Sequence, residues 1–214
     1  MYGMTCHSAG WKMEPALVTR RRNEILEAAL KVFSDKGYHA AKIEDIAAEL
    51  EMGHGTFYRY FKNKLDIFNH VVEDIVRMIT ELVADINPHE AETLDEYRQQ
   101  LDMIGDRLFG LFDSNPSFSR IIFYEAFGIE DKDLRERIQG VFDLIGRYIE
   151  LYLENGIAKG YMREDLHVRE SALAIGGALF EACKRVVSSS DPERDLAVWK
   201  ETIITLIIQG VSKR

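Results

Sequence analysis

No stretch of this chain stays apolar for the ~18 residues that a membrane-spanning helix needs. Its apolar runs are short, such as Ile203-Ile204 and Leu206-Ile207-Ile208. The opening stretch MYGMTCHSAGWKM has no apolar core segment, so neither a secretory signal nor a membrane partner is expected. Cysteine is scarce. Cys6 and Cys183 stand far apart and in no metal-ligand spacing, which suits a reducing, cytoplasmic setting. Internal repeats, low-complexity linkers and strand-like alternation are missing. So is a glycine-rich phosphate loop. His7, His39, His54, His70, His89 and His167 form no helical His/Glu metal pair; His70 and Glu73 are merely three apart. No Ser/His/Asp or Cys/His set is recognisable. The expectation is a protein without metal or cofactor, and an enzyme is a weaker reading than a binding protein.

What is present is a chain of 214 residues with 46% hydrophobic content, enough for a sizeable core. The formal net charge of −9 argues at first against nucleic acid. Its distribution changes that reading. Residues 1–65 hold ten Lys/Arg against eight Asp/Glu, a net of +2, and residues 66–214 hold 17 against 28, a net of −11. A mildly basic front end is attached to an acidic body, and regional sign decides where a phosphate backbone can approach.

Every long segment repeats apolar residues at helical spacing, so the fold class is all-α. The first helix carries Ile25, Ala28, Ala29, Val32 and Phe33, closed by Gly37. A short second one carries Ile43, Ile46, Ala47 and Leu50. Asn63 caps a long fourth helix with Ile67, Phe68, Val71, Val72, Ile75, Ile79 and Leu82, and Pro88 ends that region. A fifth is expected from about Thr93 to Phe112, and another from Asn115-Pro116 to Gly128. A long helix with Leu134, Ile138, Val141, Phe142, Ile145, Tyr148, Ile149 and Tyr152 fades into the turn-rich NGIAKGYMREDL. Two more follow, VRESALAIGGALFEACKRVVSS and the segment capped by Asp191-Pro192.

The stretch GHGTFYRYFKNK, Gly53 to Lys64, sets aromatics among cations directly after a loop. Two short helices joined by a tight turn suit a helix-turn-helix, whose second helix enters the major groove. The first would be Ile43–Leu50, the turn Glu51–Gly53 and the recognition helix about His54–Phe61. On it Phe57 and Phe61 lie one turn apart and can face the core, leaving Tyr58, Arg59 and Tyr60 to other faces. Gly53 and Gly55 let the backbone approach a sugar-phosphate wall.

Residues 20–68 resemble the DNA-binding domain of the TetR family of transcriptional regulators. The matching marks are Ile25, Ala28-Ala29, Phe33, Gly37-Tyr38, Ile46-Ala47, Gly55-Thr56-Phe57-Tyr58, Tyr60-Phe61, Lys64 and Leu65, in order. Ala41-Lys42 stands where the family often has Thr or Ser, and Glu51-Met52-Gly53 where it often has Gly-Val-Ser. The resemblance implies base-edge or near-base contacts from His54, Thr56 and Arg59 and close approach at Gly55. It implies phosphate contacts from Tyr58, Tyr60, Lys64 and Lys42 on a double-stranded operator. Arg20, Arg21 and Arg22 would form a flexible arm along the backbone or minor groove. The implied division is a disordered arm over 1–18, a helix-turn-helix domain over 19–65, and a ligand-binding and dimerisation domain over 66–214.

In the family the last two helices make a homodimer. Here that interface would draw on Leu173, Leu179, Val186, Trp199, Ile203, Leu206 and Ile207. Aromatics crowd the middle helices, and a helical domain packed around large side chains can hold a mostly apolar pocket. Candidate lining residues are Phe109, Phe112, Phe123, Tyr124, Phe127, Phe142, Tyr148, Tyr152 and Phe180, with Met78 and Met103 as adaptable contacts. A small apolar, acyl-chain-like effector suits this lining. The leading reading is a homodimeric repressor released from a palindromic operator by that effector. The alternatives are an activator or dual regulator, and a helical lipid- or acyl-binding protein without DNA function.

Overall fold

The computed structural model describes residues 15–213. Among them the chain forms nine α-helices and no named strand: α1 Pro15–Lys36, α2 Ile43–Glu49, α3 His54–Phe57, α4 Lys64–Leu82, α5 Leu94–Ser114, α6 Pro116–Arg120, α7 Lys132–Ala158, α8 Val168–Val187 and α9 Pro192–Val211. None is long and apolar enough to cross a membrane. Most of the arm expected over 1–18 lies outside the described residues; its last four residues belong to α1.

The helix starts follow from side-chain capping. Asn63 accepts the Asp66 N–H at 2.8 Å and Thr93 that of Glu96 at 3.2 Å. Asp131 accepts from Leu134 at 2.9 Å and Asp191 from Arg194 at 3.3 Å. Each such cap contributes about 1 kcal/mol by satisfying an amide that the helix leaves unpaired. At α2 Lys42 offers no side-chain cap, but Asp45 supplies the reciprocal half, its carboxylate accepting the Lys42 N–H at 2.9 Å. Gly37, with φ +80°, ends α1 in the left-handed region.

α1 packs on α4 and on α2, and α2 packs on α3. Their core is Ile25, Ala29, Phe33, Ile46, Phe57, Phe61, Ile67 and Phe68, all buried. That cluster runs without a break along α4 into Phe109, Phe112, Phe118, Ile121 and Phe123 of the body. A second core fills the far end, with Tyr97, Ile149, Tyr152, Leu153, Met162, Ile203, Ile207 and Val211. α8 lies along α7, and α9 covers α8 and α5.

Several boundaries differ from the sequence reading. The recognition helix is α-helical only over His54–Phe57; the chain then tightens, with the N–H groups of both Tyr60 and Phe61 reaching the Phe57 carbonyl at 2.9 and 3.1 Å. The tightening seats Phe61 in the core beside Phe57. Residues 116–128 are not one helix but α6, a π-helical turn over Ile121–Glu125 and a 3₁₀ turn over Ala126–Gly128. α7 continues to Ala158 through residues expected to be a turn. Asn155 stays helical because its amide donates to the Pro88 and Ala91 carbonyls at 3.0 and 2.9 Å. Gly156 leaves room for Met162 against the helix, since a Cβ there would lie 2.5 Å from Met162 Sδ.

Candidate functional site

The front face of α2 and α3 carries the exposed polar residues. Phe57 is fully buried, while Tyr58 is 56% exposed and His54, Gly55 and Arg59 are open to solvent. Thr56 and Tyr60 are half-buried beside them. Burying two rings on one side of so short an element forces the intervening residues outward. Among the described residues, Lys42, Arg59 and Lys62 are exposed cations without an ion pair. Other cations of this module are spent on carboxylates: Lys31 pairs with Glu49, and Lys36 with Asp45 at 2.8 Å. His54 lies 3.8 Å from Glu44.

Two expectations for this face are corrected. Arg20, Arg21 and Arg22 do not form an arm ahead of the first helix; they lie inside α1. Arg20 and Arg21 bind Glu24 at 3.1 and 2.6 Å, and Arg22 turns inward over the Phe61 ring, 5.2 Å from its centroid. Only Arg20, with 78% of its side chain exposed, keeps an open approach. Lys64 also turns inward. Its ammonium donates to the carbonyls of Tyr38, His39 and Ala41 at 2.8, 3.3 and 2.9 Å, which uses all three of its protons. The cation that faces outward at this corner is Lys62, which the sequence reading passed over.

The lining residues named from sequence fall into separate groups. A row of rings starts at buried Phe112 and Phe123, 5.2 Å apart. It passes to Phe180 at 4.9 Å from Phe123, and from Phe180 to Phe142 at 5.3 Å and Phe127 at 5.7 Å. Phe127 is 53% exposed, so the row leads from the interior to the surface. Phe109 and Met78 pack in the same core. Tyr148 and Tyr152 do not join it. They meet edge-on, and Tyr152 also packs against Tyr97 in the second core, where burial pushes the Tyr152 hydroxyl well above the usual phenol range. The Tyr148 hydroxyl donates to the Ile86 carbonyl at 2.8 Å and so pins the α4–α5 connection. Tyr124 and Met103 face solvent; the Tyr124 hydroxyl meets Ser188 Oγ at 2.6 Å. Ser119 Oγ in α6 and Asn69 Oδ1 in α4 are buried without a partner among the described residues, polar atoms the sequence pattern gave no sign of.

The residues expected at a dimer interface also divide. Val186, Ile203 and Ile207 are buried within the subunit, so they cannot meet a partner. Leu179 and Trp199 are half-buried. Leu173 and Leu206 stay exposed, joined by Val198, which the sequence reading did not name. Ala197, Val198, Glu201, Thr202, Thr205 and Leu206 line one shallow depression on the outer face of α9.

Residues 25–71 match the family described as bacterial regulatory proteins, tetR family. They run from the middle of α1 through α2 and α3, which build the exposed face, to the first two turns of α4. The chain belongs to the tetR family. As a tetR-family protein it is a DNA-binding regulator of transcription with a larger helical domain behind the helix-turn-helix. It is similar to the fatty acid metabolism regulator protein of Bacillus subtilis, 24% identical over 191 residues that cover 89% of this chain and 95% of the relative. Among solved structures, it resembles the transcriptional regulator FadR from Bacillus subtilis in complex with stearoyl-CoA. That match has a TM-score of 0.73 and 25% identity, over 88% of this chain and 98% of that one. The fatty acid degradation regulator FadR from Bacillus halodurans shares the fold, with a TM-score of 0.74 and 24% identity over 95% and 100% of the two chains.

Proposed function

We propose that this tetR-family regulator is a homodimeric repressor that leaves a palindromic operator when a long-chain fatty-acyl compound enters the aromatic row of its body. The observation that carries the reading is the row itself. Phe112, Phe123, Phe180, Phe142 and Phe127 form a continuous apolar track from core to surface. A linear hydrocarbon chain can replace ring contacts along such a track at little cost, whereas a sugar or nucleotide would leave its polar groups unpaired there. The stearoyl-CoA held by the Bacillus subtilis regulator supports the same chemistry.

On the DNA side, Tyr58, Arg59, Lys62, Lys42 and His54 are the proposed contacts, with Thr56 and Gly55 at the closest approach. Dimerisation through the outer faces of α8 and α9 sets two such faces at one spacing. Operator half-sites lie a fixed distance apart, about one helical turn of ~34 Å or a multiple. α4 leaves the DNA module at Lys64 and runs into the body with Phe68, Val72 and Ile75 buried. A ligand that shifts α4 as a rigid element changes the spacing and breaks two-site contact without unfolding anything.

The test pairs two measurements. Binding to duplexes selected from a random library should yield a palindrome and a steep loss of affinity with salt. Mass spectrometry of small molecules released from the purified protein should find acyl compounds. A protein that carries acyl compounds but has no salt-dependent duplex binding would be a carrier, and the repressor reading would fail.

A further inference from the structure

The body reaches the DNA module by a second route besides α4. Glu125 is the last residue of the π-helical turn. Its carboxylate accepts the backbone N–H of Tyr38 at 2.7 Å, across 87 residues of sequence. Both carboxylate oxygens lie 3.3 Å from the place a Cβ on Gly37 would occupy, so a side chain there would press on the acid, and the φ of +80° at Gly37 itself favours glycine. The side chain is 17% exposed, with Arg120 at 3.8 Å on its other oxygen. Three residues on, the Gly128 carbonyl lies 3.4 Å from His39 Nε2. Residues 37–41 are thus gripped from two sides. Lys64, at the end of the recognition segment, holds their carbonyls, and Glu125, from the body, holds an amide.

The residues around Glu125 give this grip a use. Phe123 and Phe127 lie two positions before and after it, and both pack edge-on against Phe180 in the aromatic row. A π-helical turn is rare and is found frequently at functional sites. We infer that Glu125 is a positioning residue. Its carboxylate latches the α1–α2 turn to the effector-lined segment, and displacement of Phe123 or Phe127 withdraws it, freeing the helix-turn-helix from its operator-competent orientation. The inference rests on the proposed effector site for its trigger, but the Glu125–Tyr38 hydrogen bond is testable without any ligand.

The full-length protein serves for the test, with Glu125→Ala and Glu125→Gln beside wild type. Without any ligand, hydrogen exchange at the Tyr38 amide should quicken by about tenfold or more in Glu125→Ala, while amides of the second core stay protected. Glu125→Gln keeps an acceptor oxygen and should fall between the two. With palmitoyl-CoA as probe, Glu125→Ala should bind it more tightly than wild type, because the contact that the effector has to break is already gone. The factor by which the probe weakens operator binding should shrink by at least about fivefold. A residue that merely props up the fold would change stability and leave that factor alone. Wild-type exchange at Tyr38 in Glu125→Ala overturns the latch, whether or not palmitoyl-CoA binds. An undiminished coupling factor overturns its role in release. Quickened exchange in a protein whose operator binding ignores palmitoyl-CoA supports the latch and rejects the acyl effector, so the two failures are told apart.

Discussion

The Lys64 ammonium sits 4.5 Å from the centre of the Tyr38 ring while donating to the Tyr38 carbonyl at 2.8 Å. The contact closes the corner between the end of α1 and the start of α4. It makes Lys64 a structural cation rather than a phosphate ligand. Lys64→Met should cost roughly 1–3 kcal/mol of stability, because three carbonyls lose a charged donor. Its salt slope for DNA should equal that of wild type, whereas Lys62→Ala should lower the slope by about one counterion. Chemical denaturation and affinities over a range of salt measure both. A lowered slope for Lys64→Met would return it to the DNA face.

On the exposed face, Arg59→Ala should relax base preference at one operator position and cost roughly 1–3 kcal/mol of binding to the matched site. Tyr58→Phe should weaken matched and mismatched duplexes alike, because a phosphate contact carries no sequence information. Affinities on an operator and its single-base variants separate the two. Sequence-independent loss in Arg59→Ala would move that residue to the backbone.

How much of this was legible beforehand follows from what a one-dimensional pattern encodes. Helical spacing marked Ile25, Ala29, Phe33 and Phe57 as core, and they are buried. The same spacing could not rank the two apolar faces of α9. Ile203 and Ile207 point home while Val198 and Leu206 point out, yet all four are aliphatic residues at helical intervals. Lys64 looked like its neighbour Lys62, since a lysine reads alike whether it meets a phosphate or three carbonyls. The aromatics looked like one set, and only the fold sends Tyr148 and Tyr152 to a different core from Phe123 and Phe180. Glu125 gave no signal at all, because its partner is 87 residues away.

The division of α9 predicts opposite outcomes for adjacent substitutions. Val198→Glu and Leu206→Glu should leave the subunit folded and produce monomer in sedimentation, since both side chains are exposed in the isolated chain and an unpaired carboxylate is costly only once a partner buries it. Ile203→Glu should unfold the subunit and lose its helical circular dichroism. Dimers of wild-type strength in both exposed-face variants would place the interface elsewhere.

His70 stands between the DNA module and the body. Its Nδ1 is 2.9 Å from Glu73, Asp66 lies at 3.8 Å, and the Phe61 ring is 5.7 Å away. Arg137 of α7 pairs with the same Glu73. Burial first, and then Arg22, hold the imidazole below its ordinary value, against the pull of Asp66 and Asp74. The folded protein therefore binds its proton less readily than the unfolded chain. Stability is full above about pH 6.5, the unfolded value, and falls as pH drops through the lower folded value. Denaturation at about pH 7 and about pH 5 should show a larger loss for wild type than for His70→Gln. Equal losses would mean that His70 titrates alike in both states.

The central claim is that an acyl effector and the operator compete through the structure of one protein. Linkage makes this measurable in a single quantity, because an effector that lowers operator affinity must itself be bound less tightly when operator is present, by the same factor. Palmitoyl-CoA titrated calorimetrically into the wild-type protein, with and without saturating operator duplex, gives that factor from the effector's side. Anisotropy of labelled operator, with and without palmitoyl-CoA, gives it from the DNA's side. The account predicts two equal factors, both at least about fivefold. Effector affinities that are the same with and without operator would contradict it, however tightly the acyl compound binds.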